Sequence, residues 1–192
     1  MKTKRIFAYI VDVLLISVIS TLIFQIVFKT SSYQEYEEKT EQYVNELMSS
    51  GSTEYTEEDL VNILYDINKV QIPKQIIDFG LTIFYFGILS FIFNGKTLGK
   101  KLFKLRVVPL KGKKLNAPLY FLREIILTNS IFSLLSIINI SLCGVEKWYL
   151  FNSIITNGRT FVVLALIGTL IFREDERSLH DVICKTKVIE EK

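Results

Sequence analysis

The chain has 192 residues, 49% of them hydrophobic, a formal net charge of +3 and a mean hydropathy of +0.33. Its apolar residues come in long blocks rather than in the periodic stripes of a soluble domain, which excludes an ordinary soluble fold. One histidine and two cysteines exclude a Cys/His zinc site and a disulfide framework.

Residues 6–28, 75–93, 119–142 and 148–172 are nearly unbroken apolar runs. A spanning helix needs roughly 20 such residues. The first three runs qualify and predict helices over about 5–28, 74–94 and 118–142. Lys2, Lys4 and Arg5 give the chain the basic start of a signal peptide. The run that follows exceeds the about 7–15 apolar residues of a cleaved one, and no small-x-small site follows it, so helix 1 is read as retained. Next comes an acidic insertion, 29–73. Tyr33, Tyr36, Tyr43, Val44 and Leu47 predict one amphipathic helix in it. Thr56 before Glu57, Glu58 and Asp59 marks the start of a second, with Leu60, Ile63, Leu64 and Ile67 as its apolar stripe. This small outer cap is either a cation-attracting vestibule or a pair of solvated helices packed by one face on the bundle.

Pro73 opens helix 2 and Asn94-Gly95 closes it with a turn signal. The loop 95–117 is basic from Lys96 to Lys114 and holds no acid, which places it in the cytoplasm and the acidic insertion outside. Leu98, Leu102, Phe103, Leu105, Val107 and Val108 alternate with its basic residues. That pattern predicts an interfacial segment dipped into lipid among anionic headgroups, not a nucleic-acid patch. Helix 3 starts near Pro118. Region 143–159 has two readings. Trp148 and Tyr149 look like interfacial anchors and Asn157-Gly158 like a break, giving a re-entrant or interfacial piece over 146–157 and a short helix 4 over about 159–173. The alternative is one long helix with Arg159 near mid-bilayer, at a cost on the order of +2.5–3.5 kcal/mol. Cys143 and Cys184 then fall on opposite sides and do not pair.

Residues 97–108 match 178–189 without a gap: Thr97 on Ser178, Leu98 on Leu179, Lys104 on Lys185, and Arg106-Val107-Val108 on Lys187-Val188-Ile189. Each segment follows an apolar block, so the chain reads as two parallel helical-hairpin repeats. Arg5 then matches Arg123, and Lys100 and Asp181 take equivalent positions. The expected fold is an all-α membrane protein: a four-helix transmembrane bundle with interfacial juxtamembrane segments and a helical extracytoplasmic cap. It is multi-pass in the cell membrane, with a cytoplasmic tail over 174–192 and both termini cytoplasmic.

The charges inside or beside the blocks are the candidate site: Asp12, Arg5, Asp181 and Arg123, with Arg159, Lys100 and His180 as further members. Asp12 follows Arg5 by seven residues on nearly the same helix face, about 10 Å further along the axis. Ionisable groups at such depth face the bundle interior and pair. Asp12 is therefore either a proton or cation site or half of a structural ion pair, with Arg123 the partner by depth and Arg159 the second choice. His180 has no second ligand at useful spacing. No phosphate loop, serine elbow or metal motif is present, so no catalytic residue, metal or cofactor is assigned and the chain is read as a non-enzyme.

Arg5 and Asp12 in a first helix, Thr97-Leu98-Gly99-Lys100 leading into Leu105-Arg106-Val107-Val108, and Leu179-His180-Asp181 near the end resemble the RDD family of bacterial membrane proteins. Arg5 and Asp12 match the arginine and first aspartate of the family's name, and Asp181 best matches the second. The acidic insertion departs from the short connection the family leads one to expect. The resemblance implies a membrane location and, with cation–proton exchange reported for some members, transport. Two functions follow as expectations. One is a small cation/proton transporter using Asp12, working as a homo-oligomer. The other is a non-transporting scaffold or accessory protein whose Arg and Asp residues are structural. The expected partners are the bilayer, its anionic headgroups, a second copy of the chain, and a monovalent cation or proton.

Overall fold

The computed structural model describes residues 1–27, 38–42, 44–45, 48–49, 56–111 and 116–191. The first cap helix, expected over 33–47, lies largely outside them. In chain order the elements are α1 (Lys2–Val27), α2 (Glu57–Val70), α3 (Ile72–Ile92), α4 (Leu98–Leu102), β1 (Leu105–Pro109), α5 (Ala117–Thr128), α6 (Ser130–Leu142), α7 (Val145–Phe172), α8 (Leu179–Ile183) and β2 (Thr186–Glu190).

Three helices, α1, α3 and α7, are long and apolar enough to cross a membrane. The pair α5–α6 passes the same test together but is bent by 68°, so it counts as a fourth span only if taken as one. A straight helix over 118–142 is therefore not what forms. Asn129 adopts the left-handed conformation, φ 55°, and ends α5. Asparagine is among the few residues that enter that region readily. Most large apolar side chains on α1 and α7 point outward and are exposed, as lipid-facing surfaces require. The buried stripe of α1 is Ala8, Asp12, Ile16, Ser20 and Phe24, one residue per turn.

The fourth apolar run is not broken at Asn157-Gly158. Instead, α7 is one helix of 28 residues, which overturns the re-entrant piece and the short helix over 159–173. Gly158 serves packing rather than a turn. A Cβ there would lie 3.1 Å from the Phe132 ring, so its absence lets α6 come close. At the far end, Thr56 and Asp59 close a capping box that starts α2, as the acidic run predicts. Tyr65 of α2 then packs edge-on against Trp148, with ring centroids 5.4 Å apart, and donates to the Cys143 carbonyl. Cys143 and Cys184 are both free.

The all-α expectation is corrected at the juxtamembrane segments. Residues 105–109 pair antiparallel with 186–190, Val107 opposite Val188. Leu105, Val107 and Val188 are buried with Ala8 and Tyr120, not dipped into lipid. Alternation was the signal: Leu105 and Val107 point inward and Arg106 outward, the period of a strand. Leu98 and Leu102 of α4 do remain exposed. The two segments share a local geometry. Each has a five-residue helix, then a left-handed lysine (Lys104, φ 55°; Lys185, φ 52°), then a five-residue strand. Two further bonds close the ladder, from Leu110 N to the Lys185 carbonyl (2.9 Å) and from Glu191 N to the Lys104 carbonyl (2.7 Å). Each is the other's counterpart when 97–108 is laid over 178–189. Call this sheet with α4 and α8 the terminal lobe. Lys4 also pairs with Glu190 there, so both described ends of the chain lie on one face.

The lobe meets α1 at Gly99. A Cβ there would lie 2.1 Å from the Ala8 carbonyl oxygen and 2.8 Å from Asp12 Cγ. Gly99→Ala must displace backbone, and is expected to cost about 3 kcal/mol, the upper part of the overpacking range. Gly80→Ala, where nothing lies within 4 Å, is expected to be neutral or stabilising. Thermal unfolding of the two purified variants in detergent checks both.

Candidate functional site

Asp181 is fully buried at the start of α8, just after the Ser178 N-cap. Arg123 of α5 donates to its Oδ1 from Nε at 3.0 Å, and Thr186 Oγ1 donates to the same oxygen at 3.2 Å. Arg5 of α1 donates to Oδ2 and to the Glu176 carbonyl. Arg123 also donates to Glu124 Oε1 and, at 3.2 Å, to His180 Nε2. One carboxylate thus joins α1, α5 and α8. Burial alone would raise the pKa of Asp181, but Arg123 and Arg5 outweigh it and hold the group below the usual carboxylate range.

Lys100 and His180 complete the cluster. Lys100 Nζ is 3.6 Å from Glu124 Oε1, outside hydrogen-bond reach, and has no hydrogen-bond partner. Since His180 Nε2 accepts from Arg123, the neutral ring carries its proton on Nδ1, and Nδ1 has no partner either. Burial, then Arg123, pushes His180 well below its ordinary value. Burial likewise lowers Lys100, against the opposing pull of Glu124.

The expected Asp12–Arg123 pair does not form. Neutral donors take Asp12 instead: Tyr85 Oη at 2.5 Å and Gly99 N at 2.6 Å on Oδ1, and Thr97 Oγ1 on Oδ2. Tyr85 reaches it from Ile83–Leu89, a π-helical stretch of α3. Such stretches re-aim side chains and recur at functional sites. Of the sequence candidates, Arg5, Arg123, Asp181, Lys100 and His180 come together, and Asp12 lies against the same lobe on its own partners. Arg159 stays apart: it is exposed in the middle of α7. Sequence reasoning missed Glu124 as a member, although its place beside Arg123 in an apolar run was a signal. It also missed Tyr85, which no charge or motif marks. Among the described residues no group of His, Cys, Asp and Glu could hold a metal.

One cavity adjoins this cluster, and a second shares two wall residues with the first. A chamber of about 320 Å³ is lined by Arg5, Asp12, Lys100, Arg123, Asn129 and His180 at its charged end and by apolar residues of α1 and α7 elsewhere. A second cavity of about 460 Å³ lies toward α2 and is polar, with Gln75, Asp78, Thr82, Ser133, Asn152 and Arg159 in its wall. Tyr9 and Phe86 line both, with ring centroids 5.9 Å apart. The RDD family model matches residues 2–185, nearly the whole chain. No curated protein and no solved structure matches it.

Asp181→Asn leaves two buried arginines short of a countercharge and is expected to destabilise the protein by about 3–5 kcal/mol, the range for breaking a buried pair. Asp175→Asn, at the exposed centre of the Arg173–Asp175–Arg177 surface cluster, is expected to leave the melting temperature unchanged. His180 sets a pH dependence. Because its folded pKa is depressed, the unfolded chain takes up a proton below about pH 6.5 that the native chain refuses. Stability is therefore expected to fall on acidification below that value, by up to about 1.4 kcal/mol per pH unit. His180→Gln should flatten that slope in melts recorded between about pH 7 and 5.

Proposed function

We propose that this chain, which belongs to the RDD family, is a multi-pass membrane protein that exchanges protons for a small cation through the two stacked cavities. The observation that carries the reading is that one aromatic pair, Tyr9 and Phe86, lines both cavities. A path interrupted by a thin, movable barrier is what alternating exposure of a site requires. The barrier residue Phe86 belongs to the π-helical stretch, whose loosened hydrogen bonding lets the rings shift.

Lys100 is the group that takes up and releases the proton in this reading, and His180, kept neutral by burial and by Arg123, lines its path. Asp12 is not, because three donors already fix its two oxygens. Around Lys100 stand Asp12 on α1, Arg123 and Glu124 on α5, and Asp181 on α8. Around His180 stand Arg5, Arg123, Asp181 and Lys100. Four crossings fit best: the two ends of the chain meet at Lys4 and Glu190, so the count is even and α5–α6 supplies the fourth. The basic charge of the loop before α5 supports a cytoplasmic terminal lobe. The shared geometry of 97–109 and 178–190 supports two parallel repeats. The scaffold alternative is favoured by one observation, the complete bonding of Asp12 and Asp181, which assigns those two residues a structural role in either reading.

Purified protein in phosphatidylcholine vesicles with an entrapped pH-sensitive dye, given a sodium or potassium gradient, is expected to show proton flux. In folded Lys100→Met the flux should fall by about a hundredfold, as for loss of a positioned proton carrier. A folded wild type that moves no protons under either gradient overturns the exchange reading and leaves the scaffold.

A further inference from the structure

The chamber beside the charge cluster has a side that the proton path does not explain. It is a slot between α1 and α7. Ile6 forms one wall, and Val163, Ile167, Leu170 and Ile171 form the other. Ile6, Ile167 and Ile171 are each at least 43% exposed, so these walls face the surroundings of the bundle, which in a membrane is lipid. At the lobe end the slot is closed by Lys2 Nζ, which donates to the Ile171 carbonyl at 2.7 Å, and by Arg5 on the Glu176 carbonyl.

What lies at the head of the slot defines the occupant. The acceptor oxygens of Asp12 and Asp181 are taken by donors already described. Two buried donors, Lys100 Nζ and His180 Nδ1, and two buried acceptors, Glu124 Oε2 and Asn129 Oδ1, are left without a hydrogen bond, and Lys100, His180 and Asn129 line the chamber. Lys100 is 8% exposed and His180 3%. A buried donor without a partner costs on the order of 1–3 kcal/mol. Arg5, Lys100 and Arg123 are balanced by Asp12, Glu124 and Asp181, so the occupant has to bring acceptors for the two donors and donors for the two acceptors, as a phosphate that carries hydroxyls does. Apolar walls with a few convergent polar groups are the usual make-up of a ligand site, and a basic pocket between spanning helices suits a lipid headgroup.

We infer that the slot between α1 and α7 binds one anionic phospholipid, its acyl chain along Ile6, Val163, Ile167 and Ile171 and its phosphate on Lys100 and His180. The site does not need net transport. A bound phosphate would keep Lys100 charged, so lipid composition would set how readily the chamber releases a proton.

The test uses the full chain in maltoside detergent, with native mass spectrometry counting retained dioleoyl phosphatidylglycerol against dioleoyl phosphatidylcholine. One phosphatidylglycerol is expected to stay bound where phosphatidylcholine does not. Lys100→Met should weaken retention about tenfold or more, the loss of one charge-assisted hydrogen bond. Lys101→Met, exposed on the same short helix, should leave it unchanged. Ile167→Trp, which fills the slot from an exposed wall, should also weaken it and carries the test if Lys100→Met does not fold. Equal retention of the two lipids, or an equal loss in Lys101→Met, would overturn the site in favour of surface attraction. Displacement of the lipid by millimolar inorganic phosphate, with Ile167→Trp without effect, would overturn it in favour of a free anion. Proton flux with no lipid retention sinks this inference alone, and retention without flux sinks the exchange reading alone.

Discussion

The Asp181 carboxylate is the constraint on which the rest of the arrangement hangs. It lies near the end of the chain, yet its partners Arg5, in the first turn of α1, and Arg123, in the middle of α5, are far away in sequence. Satisfying one buried acid therefore brings the last short helix under the bundle. Once there, β2 lies where β1 can pair with it, and Lys4 can reach Glu190. Burying a charge is unfavourable unless it is paired and hydrogen-bonded, and a single paired carboxylate rarely adds much net stability. What this one supplies is position. In this placement α8 gives both arginines the same countercharge.

Asp12 performs the matching task at the other lobe segment with different chemistry. It accepts from Gly99 N and Thr97 Oγ1 at the start of α4, and from Tyr85 of α3. Three neutral donors hold this carboxylate in place without drawing in a second charge. Gly99 is the steric condition for this contact, since α4 could not approach α1 so closely with any side chain there. The two aspartates thus dock the two lobe segments onto the bundle, one through a backbone amide and two hydroxyls, the other through two guanidinium groups.

Much of this was legible in the sequence. The apolar blocks located the spans, because a bilayer tolerates little else. Arg5, Arg123, Lys100 and Asp181 were gathered by their depth and by the match of 97–108 to 178–189. Three features were not legible. Strand β1 was read as interfacial because alternating apolar and basic residues fit a lipid surface as well as a sheet edge. Only the partner strand, distant in sequence, decides between them. Helix α7 was cut at Asn157-Gly158 because arginine at mid-bilayer is costly. A polar cavity beside Arg159, walled by Asn152 of α7 itself and by Gln75, Asp78 and Ser133 of other helices, gives that arginine polar surroundings. The partner of Asp12 was sought among charges, whereas a tyrosine in a π-helical stretch carries no mark a sequence reader can use.

The chemistry of the chamber arises from where the two lobe segments differ, not from where they agree. Their helices, left-handed lysines and strands superpose in pattern, and the closing backbone bonds exchange with one another. At the equivalent third helical position, however, one carries Lys100 and the other Asp181. Had both been aspartate, Arg5 and Arg123 could each have been fully shared and the site would be an inert clamp. With lysine on one side, Glu124 is drawn toward it, but the separation of 3.6 Å leaves the ammonium without a hydrogen bond. A docking framework that repeats, carrying one substitution of opposite charge, is enough to leave a buried donor facing an open chamber. The framework accounts for the fold, and two differences between its halves, Lys100 opposite Asp181 and His180 opposite Gly99, give the chamber its unpartnered donors.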